Sequence, residues 1–175
     1  MYPEDSNPST SSGANPGAIH GPASRAIPIP ELVGEVYESA PPAVRRRMLA
    51  QLVTQVYEAA PLALRGRLLD QLLRPLGVLS LVAVANGIFA KMRFRAGWPE
   101  AHVRLEDAQN VRADDVMALA DHVQQVSMEA LYSLARTISA SPVLTGSAAA
   151  AVLVTLLLQR ARQRRADDAS GNDAG

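Results

Sequence analysis

The sequence predicts an all-α protein, a small bundle of five to six helices, and three observations carry that reading. A twenty-residue segment occurs twice in tandem: residues 32–51 read LVGEVYESAPPAVRRRMLAQ and residues 52–71 read LVTQVYEAAPLALRGRLLDQ, with twelve of twenty positions identical. Apolar residues recur at spacings of three and four through most of residues 30–165, the period of helices that bury one face. The chain is 48% hydrophobic but only 4% aromatic, so Leu, Val and Ala must fill the core, a mixture that favours helices. At 175 residues it has the length of one ordinary domain.

Residues 1–29 are dense in Ser, Pro, Gly and Asn, and Ile19 and Ile27 are almost their only large apolar groups. They cannot offset the entropy of ordering and are expected to form a disordered arm. The arm lacks a charged start followed by an apolar run, so a secretory leader is not expected and a cytoplasmic location is.

The tandem repeat then fills residues 30–74. Twenty residues make about 5.6 helical turns, so one unbroken helix would present its two copies on nearly opposite faces. Pro41, Pro42, Pro61 and Pro75 supply the breaks. Each lacks an N–H, disfavours helix in the residue before it, and suits the first turn of the next helix. Helices are therefore predicted at about 30–40, 42–60, 61–74 and 75–94. In the second, Val44, Met48, Leu49, Leu52, Val53, Val56 and Tyr57 make an apolar stripe beside Arg45, Arg46 and Arg47; in the third, Leu64, Leu68, Leu69, Leu72 and Leu73 lie beside Arg65 and Arg67. Tyr37 and Tyr57, matched between the copies, are expected to pack.

Residues 75–90 form a run of sixteen without a charge, hydrophobic nearly all round. Such a helix is either central to a bundle or in contact with lipid, and its length of about 24 Å falls short of a roughly 30 Å hydrocarbon core. Phe89, Phe94 and Trp98 follow as an aromatic corner or an interfacial belt. Gly97, Trp98 and Pro99 mark a turn, and residues 101–111 read as a loop with a short strand. A long helix is predicted at 114–139, with Asp114 and Asp115 at its positive end. A last helix at 147–165 is capped by Ser147 and ends in Arg160, Arg162, Arg164 and Arg165. Residues 166–175 read as a second disordered tail, so that residues 30–74 and 75–165 make one folded unit.

Composition narrows the chemistry. Seventeen basic residues cancel seventeen acidic ones, and cysteine is absent, which removes disulfides, thiolate nucleophiles and Cys-ligated metals. No phosphate-binding loop, dinucleotide fingerprint or zinc-protease motif is present. The nearest approach to a catalytic or metal-binding set is His102, Glu106 and His122, which surface polar positions and helix caps account for far better, so no catalytic residue, metal or cofactor is expected. Arg45, Arg46 and Arg47 and the terminal arginines lack interleaved aromatics and a DNA-reading motif, which argues against nucleic acid as a partner.

What remains is association. The expected activity is that of a non-enzymatic helical protein attaching through apolar and amphipathic helices to a membrane or other hydrophobic surface and organising partners there, peripheral or integral at the cytoplasmic membrane. A hairpin through 75–90 and 142–159 is the integral form. The alternative is a soluble, self-associating adaptor whose apolar segments form a subunit interface. The residues assigned to a surface or partner are Arg45, Arg46, Arg47, Arg65, Arg67, Leu153, Leu157, Arg160 and Arg162.

Overall fold

The protein is described by a computed structural model that covers residues 28–96, 103–144 and 146–171, with side chains at 28–92, 103–144 and 146–166. It is all-helical. Among the described residues there are nine α-helices: α1 (Ile29–Ser39), α2 (Pro42–Ala59), α3 (Leu62–Leu73), α4 (Val78–Ala83), α5 (Ile88–Ala96), α6 (Leu105–Gln109), α7 (Ala113–Val126), α8 (Met128–Ser139) and α9 (Ala148–Gly171), with a 3₁₀ turn at Ala85–Gly87. The expected arm lies, up to residue 27, outside the described residues, as do His102 and the side chains of Phe94 and Trp98.

Both proline junctions inside the repeated sequence take the same backbone form. Ala40 and Ala60 are extended, at φ −75°, ψ 147° and φ −78°, ψ 141°, and Pro41 and Pro61 follow at φ −57° and −59° with ψ 152° in each. The ring of each proline pushes the preceding residue out of the helical region and fixes its own φ, so two extended residues swing the chain into a new helix. The freed N–H groups of Ala40 and Ala60 donate to the carbonyls of Tyr37 and Tyr57.

The helices outnumber the five to six expected because two long periodic segments break. Residues 75–94 are interrupted after α4, where Ala85, Asn86 and Gly87 have φ of 49°, 55° and 74°. Gly and Asn tolerate this left-handed conformation; for Ala85 the Cβ clash costs about 1–2 kcal/mol. The segment 114–139 breaks at Ser127, which is extended at φ −154°, ψ 105°. The break lets α7 lie along α2 while α8 turns to pack on α3 and α9, contacts that one straight helix could not reach together. The short strand expected within 101–111 is replaced by α6, with Glu106 and Asp107 in its first turn favouring the helix dipole. At the other end α9 runs on to Gly171, past the predicted stop at 165.

Helix α2 packs against α7 and α9, α3 against α6 and α8, and α1 against α9 with a smaller contact to α2. One continuous core results, containing Leu49, Val53 and Val56 from α2, Leu69 from α3, Leu119 from α7 and Leu153 from α9. Phe89, the described member of the aromatic corner, is fully buried in it. The N-terminus of α7 is closed locally: the N–H of Arg112 donates to Asp115 Oδ2 at 2.9 Å, the reciprocal half of a capping box.

Candidate interaction surface

The repeated tyrosines are both buried, and each hydroxyl is held by a different part of the bundle. Tyr57 donates to the carbonyl of Ala108 at 2.9 Å, tying α2 to α6. Tyr37 accepts from Arg160 Nη1 at 2.6 Å, tying α1 to α9. Burial pushes both phenols above their ordinary value, against the nearby charges of Arg160 and Arg45 at Tyr37 and of Arg65 at Tyr57.

Several residues expected at a surface are thereby occupied. Arg65 stacks over the Tyr57 ring at 5.3 Å and donates from Nε to the carbonyl of Ala60 (2.9 Å) and from Nη2 to that of Glu58 (2.7 Å), so it caps the C-terminus of α2. Arg160 is engaged by Tyr37. Leu153 and Leu157 are fully buried, because α9 passes between α8, α2 and α1 and spends its apolar side on all three. Their side chains build the interior and are not presented to a partner.

Arg46, Arg47, Arg67 and Arg162 are exposed, and Arg45 is half-buried near Tyr37. The carbonyl of Arg46 accepts from Gln124 Nε2, which ties the start of α2 to α7. Glu106 lies exposed on α6, which packs on α3, and His122 lies half-buried on α7, which packs on α2. No group of three or more His, Asp or Glu able to hold a metal occurs among the described residues.

Sequence reasoning missed the exposed apolar stripe. On α1, Ile29, Leu32 and Val36 follow one another at helical spacing and are 67%, 50% and 52% exposed; Val44, in the first turns of α2, is 47% exposed. Gly34 and Tyr37, on another face of α1, meet Gln159 and Arg160 of α9. Between that covered face and the stripe run Glu31, Glu35 and Glu38, which with Gln159 and Arg162 line an open groove. On helical geometry the stripe therefore lies on the side of α1 away from α9; Arg46 and Arg47, in the first turns of α2, are exposed. None of these three glutamates or two arginines makes an ion pair among the described residues. The one available signal was that the apolar arc of α1 is wider than a single neighbour covers.

Comparison with protein families, with curated proteins and with solved structures returns no match.

Proposed function

We propose that the chain is a non-catalytic, self-associating helical adaptor, and that its tandem segment has divided its work, the second copy building the core and the first presenting an apolar edge to other molecules. The observation that carries this reading is the exposure of Leu32 and Val36 beside the half-burial of Leu52 and the full burial of Val56, their matched residues. Two further points support it. The long apolar segments that suggested attachment to a hydrophobic surface contribute Leu76, Leu81, Leu153 and Leu157 to the bundle interior, and among the described residues no helix is long and apolar enough to cross a membrane. The stripe is bordered by Glu31, Glu35 and Glu38, which an anionic lipid surface would repel.

Detergent-free lysis and ultracentrifugation of the untagged chain test the reading. Recovery in the supernatant as a helical species heavier than 18.6 kDa is the expected result. A second reading, peripheral attachment to an anionic surface, draws on the exposed Arg162, Arg164 and Arg165 of α9. It requires the chain to pellet and to be released by salt.

A further inference from the structure

We infer that the outward face of α4, formed by Leu79, Val82 and Ala83, is an apolar tip that seats on an anionic lipid surface, with the basic residues that flank it in the chain meeting the headgroups. The inference goes beyond self-association and uses a different part of the molecule from the stripe on α1. Leu79 is 88% exposed and Val82 55%, and with the exposed Ala83 they fall at spacings of three and four, on one face of the helix. The left-handed turn at residues 85–87 ends α4 and leads the chain into α5, so that Leu81, Val84, Phe89 and Ala90 are buried while this face is left open. The short helix is thus apolar on both sides. At that exposure Leu79 projects from the surface instead of lining a groove, a shape suited to entering a soft interface.

Charge selects the surface. From Gln71 to Pro99 there is no acidic residue, and the charges present are Arg74, Lys91, Arg93 and Arg95, although the chain as a whole is neutral. Helix α5, which packs on α4, carries three of these four. Arg74 and Lys91 are exposed. Glu129 lines one cleft with Arg74 and Pro75, and Arg136 lies 3.9 Å from its carboxylate and offsets it. By contrast, the exposed Leu105 adjoins Glu106, and Leu32 and Val36 lie among Glu31, Glu35 and Glu38. An uncharged apolar tip between cationic flanks is the pattern of interfacial attachment, in which apolar side chains enter the acyl boundary and cations meet lipid phosphates. Two large apolar side chains and four cations hold weakly, so the attachment is reversible, is lost on dilution into a lysate, and leaves the supernatant result expected above unchanged.

Co-sedimentation of the full chain with phosphatidylcholine vesicles, with and without phosphatidylserine, tests this, and circular dichroism confirms that each variant keeps its helix content. The chain should bind the vesicles that contain phosphatidylserine, and salt should release it. Leu79→Glu should lower the bound-to-free ratio about ten-fold, because it removes an apolar contact and adds a repelled charge. Lys91→Glu should lower it less and make the remainder less sensitive to salt. Val36→Glu, on α1, should leave it unchanged. Absence of binding to the phosphatidylserine vesicles, or equal binding to both kinds, overturns the inference. Binding that survives Leu79→Glu overturns it as well; if Arg164→Glu with Arg165→Glu then abolishes the binding, attachment belongs to α9. Loss of binding in Val36→Glu but not in Leu79→Glu overturns it in favour of the stripe on α1.

Discussion

Val36 and Val56 hold the same position in the two copies of the repeat, yet the first is 52% exposed and the second 1%. The local conformation does not distinguish them, since the junction that follows each has the same dihedral angles and each adjacent tyrosine is buried. The difference lies in what approaches from outside, and several positions where the copies disagree admit different neighbours. Gly66 lets the backbone of Val103 come close to α3: a Cβ there would stand 3.3 Å from the Val103 carbonyl oxygen. Asp70 then accepts the Val103 N–H at 2.8 Å. The first copy has Arg46 and Ala50 at those places and holds no such segment. Conversely Gly34, where the second copy has Thr54, admits Gln159 of α9 against α1. Identical residues set the helices and their apolar faces; the non-identical ones help select the neighbours.

The comparison breaks most visibly with one substitution made twice. Val56→Asp buries a carboxylate in the core and should cost more than about 4 kcal/mol, enough to prevent folding, while Val36→Asp should change stability by less than about 0.5 kcal/mol. Urea unfolding measures both, and equal losses would mean that α1 is covered in solution. Transferring a first-copy residue into the second sharpens the point. Gly66→Arg should push the Val103 segment off α3 and lower stability by about 1–3 kcal/mol, despite the better helix propensity of Arg. The hydrogen exchange of the Val103 amide is the direct readout.

Smaller effects concern the tyrosines and their arginines. Tyr57→Phe strips a partner from the buried carbonyl of Ala108 and should cost about 1 kcal/mol by denaturant unfolding. Tyr37→Phe should cost less, because the half-buried Arg160 retains access to water. Both phenols are raised in the folded state, so the native chain holds those protons more tightly than the unfolded one. Their contribution to stability is complete below the ordinary tyrosine value of about 10 and is lost as pH rises through the higher folded values, and the double Phe variant should flatten that alkaline fall. Arg65→Met removes a stack and two bonds to the end of α2 and should cost about 1 kcal/mol, against close to zero for Arg45→Met. A comparable loss at Arg45 would show that the first junction depends on its arginine as the second does.

Much of the fold was legible from residue order. The breaks before α2 and α3 came within two residues because proline acts on its own φ and on the residue before it, and the stripes of α2, α3 and α7 followed from periodicity. The break at Ser127 was not legible, since nothing local forbids a helix there and the gain comes from α7 and α8 reaching different partners. Nor was the left-handed turn at residues 85–87, where Ala85 is a strong helix former held against its preference. Of the residues assigned to an interaction surface, Arg46 and Arg47 are exposed, whereas Arg65 and Arg160 are engaged within the bundle and Leu153 and Leu157 are buried in it.

The sequence by itself determined that this chain is helical, where prolines turn it, and which face of each long helix is apolar, because these follow from sterics and spacing within a few residues. Tertiary structure alone decided which apolar faces meet one another and which is left over. That choice depends on long-range approach: a glycine that admits a backbone, an arginine drawn to a tyrosine on a distant helix, and the limited number of helices available to cover two nearly identical stripes.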